Sequence, residues 1–413
     1  MAYGSSVYHP YVKSTFFVNI NCEKRFLRII CNFADMNTAL IYLDNAATTP
    51  VDPSVLEAMN QHHEVFGNPS SVHVQGRKAR VLVEQARRTV AKIMQVAPAE
   101  VFFTSGGTEA NNAILWGCAL NLGYTHFITS MLEHPAVLKP LQYLRQFAGI
   151  QVHFVNTDTL GHIDPEHLEK LLKKHPGALV SLMHANNETG NLLPVNTVSH
   201  LCKKYQAAFH SDTVQTIGKY SMDLPHLGFD FAVASAHKFC GPKGVGFMAV
   251  PTGKFFKPFI AGGGQERNMR AGTENVPAII GLAKALEIAH VRMAEDQVHI
   301  RSLKSACIRL LRERIQGVGF NGDVHGSSLH TILNVSLPLN MDADLLLPNL
   351  DMAGICVSSG SACASGSNKA SHVLSAMEVD PSRPSVRISF GRQNTLAEVE
   401  TLVDVLARHA TPL

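Results

Sequence analysis

Between residues 52 and 250, short apolar runs alternate with stretches whose apolar residues recur every three or four positions, the pattern of strands interleaved with amphipathic helices. Runs at 101–104, 126–129, 151–156, 178–184, 207–211, 231–235 and 246–250 predict seven strands, and 77–94, 109–120, 135–146 and 197–205 predict helices between them. Strands joined through helices pair in parallel, so the expectation is an α/β fold with one wide, mainly parallel seven-stranded sheet flanked by helices. A longer helical pattern at 282–314 leads to strand signals at 331–335 and 385–390 and a terminal helix near 396–409. These predict a smaller α+β domain over 291–413, a large domain over 52–290, and a segment 36–51 that joins the smaller one. Residues 1–35 show neither period, so Met36 is expected to be the functional start and 1–35 an upstream extension.

Composition narrows the class. A chain of 413 residues, 46% hydrophobic, buries one large core and a smaller one. Its net charge of +3, with no basic block interleaved with aromatics, gives no reason to expect a nucleic-acid partner. No apolar run approaches the ~18 residues of a membrane span, so no membrane association and a cytoplasmic location are expected. The eight cysteines are scattered without CxxC pairing, which suits a reduced compartment better than a disulfide framework or a zinc site. No metal site is expected from them.

Chemistry concentrates where strands end. The run Ser235-Ala236-His237-Lys238-Phe239-Cys240-Gly241-Pro242-Lys243-Gly244 follows a buried type of strand and closes in a sharp turn. A lysine amine attacks an aldehyde when it is deprotonated in a partly desolvated pocket, so Lys238 is a candidate Schiff-base lysine; a basic loop after a strand is the competing reading. The strand–helix junction Thr104-Ser105-Gly106-Gly107-Thr108-Glu109 offers backbone amides, a helix start and the Thr108 hydroxyl to a phosphate, or is simply a turn. Asp212 and Gln215 follow another strand, where a carboxylate could keep a pyridine nitrogen protonated or could merely cap a helix. His134 and Asn187 fall at two further strand ends, the edge at which open parallel sheets bind ligands.

Taken in order, these motifs resemble those of class-V pyridoxal-phosphate enzymes of fold type I, and within that group the cysteine desulfurases of the NifS/IscS kind. The resemblance covers about residues 41 to 405. It includes Tyr42-Leu43-Asp44-Asn45-Ala46-Ala47, Gly67-Asn68-Pro69, Glu133-His134, Arg270-Ala271-Gly272-Thr273-Glu274-Asn275 and Ser358-Ser359-Gly360-Ser361-Ala362-Cys363. It implies pyridoxal 5'-phosphate bound to Lys238, with the phosphate held by Gly107, Thr108, Ser235 and His237 and, across a homodimer, by Thr273. It further implies Asp212 on the ring nitrogen, Gln215 on the ring oxygen, and His134 stacked on the ring and relaying protons. Asn187 and Arg387 would bind the substrate carboxylate.

The same resemblance makes Cys363 the residue that chooses the reaction. Its loop, 358–371, is rich in Ser, Gly and Ala, unlike the surroundings expected of Cys118, Cys202, Cys307 and Cys356, which read as small buried hydrophobes. The implied activity takes sulfur from L-cysteine as a persulfide on Cys363 and releases L-alanine, for an iron–sulfur scaffold or another sulfur-acceptor protein; a selenocysteine lyase is the alternative. Two departures stand out. Cys240 occupies a place where relatives commonly carry an aromatic residue, and just 21 residues, 393 to 413, follow Arg392, which leaves the acceptor open.

Overall fold

The computed structural model describes residues 40–338, 343–359 and 371–410. The expectations for residues 1–35, Met36 and Cys363 therefore fall outside the described residues.

Seven strands form the central sheet: β2 (Val101–Thr104), β3 (His126–Thr129), β4 (Gln151–Phe154), β5 (Leu179–Ser181), β6 (Ala208–Asp212), β7 (Phe231–Ser235) and β8 (Gly246–Ala249), in the order β2-β8-β7-β6-β5-β3-β4. Every neighbouring pair is parallel except those of β8, which runs antiparallel to both β2 and β7. Because β8 is the reversed member, the carboxyl ends of the other six strands share one edge. Helices α1 (Pro53–Asn60), α2 (Val74–Met94), α3 (Gly107–Leu120), α4 (Pro135–Phe147), α5 (Pro165–Lys174) and α6 (Val195–Lys204) connect or flank them. Their starts follow local chemistry: Asp52 and Asp164 cap α1 and α5 through their side chains, each followed by a proline whose missing N–H costs nothing there.

All seven predicted strands are present, and three (β4, β5 and β8) are shorter than their apolar runs. β5 ends at Ser181 rather than 184, although the amides of Leu182 and His184 still donate to the carbonyls of His210 and Asp212 at 3.2 and 3.0 Å. The chain bends there because polar residues 184–189 turn toward the strand edge instead of continuing the ladder. Two apolar layers cover the sheet, one centred on Val83, Phe209, Phe247 and Leu282, the other on Phe102, Ile114, Phe127 and Phe231.

Helix α7 (Val276–Arg314) starts six residues before the predicted 282, because the Asn275 side chain accepts the amide of Ala278 at 3.3 Å and a proline fits the first turn. Its first half packs in the cluster of the large sheet through Leu282 and Leu286, and its second half packs in another cluster through Leu303, Cys307 and Leu311. That second cluster holds β9 (Gly319–Asn321), β10 (Ile332–Ser336) and β12 (Ser385–Ser389), an antiparallel sheet in the order β12-β10-β9. A parallel pair, β1 (Ile41–Tyr42) with β11 (Ile355–Cys356), and helices α8 (Ala343–Met352) and α9 (Leu396–Ala410) complete it.

Candidate active site

Five chain segments leave the common strand edge and line one cavity of ≈ 450 Å³. Gly107 and Thr108 follow β2, His134 follows β3, Asn187 follows β5, Asp212 ends β6 with Gln215 beyond it, and Ser235, His237 and Lys238 come from β7. Arg387, in the middle of β12, closes the cavity from the smaller sheet. Ten of the twelve residues singled out from the sequence thus meet here. Thr273 does not line the cavity and is exposed, and Cys363 is the residue outside the described part.

The lysine is aimed by its backbone. Thr49 receives and returns hydrogen bonds around it, its amide and hydroxyl donating to the His237 carbonyl at 2.8 and 2.9 Å while Cys240 N donates to its Oγ1 at 2.8 Å. Cys240 takes a φ of 63°, a left-handed conformation that side chains seldom adopt, so the turn after Lys238 is held by these contacts. Lys238 Nζ donates to the carbonyls of Ala46 and Ala47 at 2.5 and 2.8 Å. Those carbonyls belong to the Asp44-Asn45-Ala46-Ala47 segment, which therefore serves as the amine's seat.

An anion cradle faces it. Gly106 has φ 156° and ψ −176°, a region essentially restricted to glycine, and a Cβ there would project to within 3.4 Å of Ser235 Oγ. At Gly107 a Cβ would collide with Val214 at 2.6 Å, so a side chain at either position would fill the space before the α3 amides. Burial, together with Lys238, Lys243 and Lys219, pushes His237 down to about 4, so its ring is neutral at pH 7. The amides, hydroxyls and this neutral imidazole are a donor set that suits a phosphate.

Asp212 is 7% exposed and its carboxylate is fixed at both oxygens, by Asn111 Nδ2 at 2.8 Å and Val214 N at 3.0 Å. These bonds, one of them the local contact of a cap, hold the carboxylate of a residue that lines the cavity. Gln215 is held from both ends: its Nε2 donates to Ala46 O at 3.1 Å and its Oε1 accepts from Lys219 at 3.2 Å. His134 caps α4, its Nδ1 accepting the Ala136 amide at 3.0 Å, so in the neutral ring Nε2 carries the proton. Burial lowers its pKa, helped by Lys238 and His372 and opposed by Asp212.

Arg387 is 1% exposed and paired with Asp44 at 2.8 Å and the Asn187 carbonyl at 3.0 Å. Its Nε is buried with no hydrogen-bond partner among the described residues. Arg387 as a whole lines the cavity, and a planar guanidinium suits the recognition of a carboxylate. The sequence reading missed Asp44, Asn111 and Glu109 as positioning residues. Glu109, whose burial is outweighed by hydrogen bonds from Arg270 and Ser105 so that its pKa is lowered, ties the Arg270–Thr273 segment to the cradle at 3.0 Å. Spacing between residues 109 and 270 carries no such signal.

A lysine, a fixed carboxylate and glycine-flanked helix amides lining one cavity at the carboxyl edge of a mainly parallel sheet are the arrangement of a lysine-anchored enzyme of the kind that uses an aldehyde cofactor. The chain belongs to the class-V aminotransferase family, whose model matches residues 41–402. Within that family it is similar to cysteine desulfurases. Cysteine desulfurase IscS of Dictyoglomus turgidum is 42% identical over 373 residues, 89% of this chain and 94% of that protein. A cysteine desulfurase of Gluconacetobacter diazotrophicus is 40% identical over 371 residues, 89% and 92% of the two chains. Among solved structures, a NifS-like protein superposes with a TM-score of 0.82 at 40% identity, over 90% of this chain and 99% of that one. SspA in complex with cysteine does so at 0.74 and 29% identity, over 86% and 100%.

Proposed function

We propose that this chain is a cysteine desulfurase that moves the sulfur of L-cysteine to the Cys363 thiol and releases L-alanine. The observation that carries the reading is that Arg387, buried and braced by Asp44 and the Asn187 carbonyl, lines the same cavity as Lys238, a guanidinium suited to a carboxylate in one cavity with an amine. Pyridoxal 5'-phosphate fits the cradle described above: Gly107, Thr108, Ser235 and His237 would hold its phosphate, Asp212 its ring nitrogen, and Lys238 its aldehyde carbon. When bound, it supplies an electron sink that makes the substrate α carbon acidic.

The chain's own residues do the rest. Arg387, steadied by Asp44, and Asn187 bind and orient the substrate carboxylate. Lys238, once its amine is freed by substrate, removes the α proton and returns a proton to the product. His134, with its proton on Nε2, can pass a proton to groups above the cavity floor. Cys363 thiolate attacks the substrate sulfur; the carbon–sulfur bond breaks, its electron pair stays with the alanine skeleton, and a persulfide remains on Cys363. The relatives named above are desulfurases, which does not favour the selenocysteine lyase alternative.

The reading includes a homodimer in which exposed Thr273 reaches the phosphate of the other subunit, a cytoplasmic location and a sulfur-acceptor protein. Among the described residues no helix is long and apolar enough to cross a membrane. We further assign residues 52–290 to the larger domain and 36–51 with 291–413 to the smaller. The packing of Leu43 in the cluster of β10 and β12 supports the latter. Lys238→Ala tests the cofactor assignment: it should abolish the visible absorption of enzyme loaded with pyridoxal phosphate, with loss of the proton transfer alone slowing alanine formation about 10²–10⁴-fold. Retained colour and turnover would overturn it.

A further inference from the structure

Strands β3 and β4 run parallel with His126 opposite Gln151 and Ile128 opposite His153. A two-residue offset keeps side chains on one face, so His126 and His153 project from the same side of the sheet. His175 is the residue after α5 and approaches that face from the helix C-terminus. His126 Nδ1 lies 3.1 Å from His153 Nε2, and the His175 ring centroid lies 4.3 and 4.1 Å from theirs. Ring nitrogens of all three fall within 4.8 Å of one another.

One N–H···N hydrogen bond accounts for the His126–His153 pair. The His175 ring stacks on both, at interplanar angles of 24° and 18°, while its Nε2 is shielded from solvent and has no hydrogen-bond partner among the described residues. A buried ring nitrogen without a partner is a destabilising feature unless something occupies it. In a tetrahedral site with metal–nitrogen bonds of about 2.0–2.1 Å, ligand nitrogens sit about 3.3 Å apart. The observed 3.1 Å is close to that edge, and bringing nitrogens that all lie within 4.8 Å of one another to it takes a shift of at most about 1.5 Å together with rotation of the stacked rings, so that their in-plane lone pairs converge.

Charge and donor type agree. Burial, with the His175 and His126 rings and Lys174, pushes His153 down to about 4, and burial, with His126 and Lys174, lowers His175. The negative end of α5 favours a cation beside His175, while Lys174 opposes it. With imidazole donors and neither thiolate nor carboxylate in the group, the site selects a borderline transition ion over magnesium or calcium.

We propose that His126, His153 and His175 form a three-histidine site for a divalent cation of the zinc class, which clamps the edge strand β4 to β3 and to the end of α5. The site belongs to other residues than the Lys238 cavity, and it stands whether or not the desulfurase reading holds.

The test uses cofactor-loaded full-length enzyme, stripped with a chelator and dialysed against Zn²⁺ alone. Wild type should retain one more equivalent of zinc per chain than His126→Gln/His153→Gln, and its melting temperature should rise with zinc concentration while that of the variant should not. Equal zinc content and equal thermal response would overturn the proposal. Should the double variant fail to match wild type in circular dichroism, Co²⁺ bound to wild type decides. Bound cobalt whose absorption lacks the thiolate charge-transfer bands and that is lost in His175→Gln supports the site, and cobalt ligated entirely by cysteine refutes it.

Discussion

The cavity has two walls of different construction. The wall that would hold the cofactor is made of strand exits, where each chemical group lies within a few residues of the strand that places it: Gly107 and Thr108 after β2, Asp212 at the end of β6, Lys238 after β7. The wall that would hold the substrate carboxylate is made of distant segments, with Arg387 bonded to Asp44 and Asn187 across separations of 343 and 200 positions. The groups of the first wall are therefore placed by local backbone geometry, with Asn111 bracing Asp212 and the segment 46–49 bracing Lys238 from a distance, and those of the second by the packing of the smaller sheet against the N-terminal segment. Damage to the first should cost chemistry, and damage to the second should cost substrate binding.

The largest effect within this comparison is expected from Asp212→Asn, which keeps the hydrogen bond from Val214 and removes the charge. It should lower kcat for alanine formation about 10²–10³-fold, with little change in KM. Steady-state kinetics on cofactor-saturated enzyme would show this, and an effect confined to KM would break the distinction between the walls. Next comes Arg387→Lys, which retains the charge and loses the planar fork. Loss of charged hydrogen bonds worth about 1.5–3 kcal/mol predicts a fall of about 10- to 100-fold in kcat/KM, carried by KM.

The smallest effect concerns the support behind His134. Glu133 is 1% exposed, and burial pushes its carboxyl up to about 8, with the Met183 amide opposing and Asp212 adding to the rise. The folded protein holds a proton here that the unfolded chain releases above about pH 4.3. The contribution of this group is therefore present at low pH and is lost as pH rises through about 8. Glu133→Gln keeps an oxygen for the Met183 amide and should alter stability by less than about 1 kcal/mol at pH 5, while flattening the decline toward pH 8. Urea midpoints measured across that range would check it, and an unchanged slope would remove Glu133 as its source.

The same contrast explains what was legible in the sequence. Apolar periodicity gave all seven strands of the large sheet, since each is a short buried run between helices, and strand-end chemistry pointed to His134, Asp212 and Lys238. The early end of β5 was hidden because Leu182 and Met183 are apolar enough to continue a strand, and the chain bends for reasons that lie in the polar stretch after them. The start of α7 was missed because the Asn275 cap and its proline precede the periodic residues. Asp44, Asn111 and Glu109 had no local signature at all, because each acts through a partner more than 100 positions away, on Arg387, Asp212 and Arg270. The three histidines escaped notice for that reason too: two strands and a helix end bring together residues 126, 153 and 175, whose spacing matches no ligand motif.

The central claim, that the chemistry at Lys238 ends as sulfur on Cys363, is tested most directly by mass spectrometry of the Cys363 peptide after a single turnover with L-cysteine. The account predicts a Cys363 peptide heavier by one sulfur atom, formed in step with alanine and reversed by a thiol reductant. Alanine formed at the wild-type rate by Cys363→Ser, or an unmodified Cys363 peptide after turnover, would contradict it.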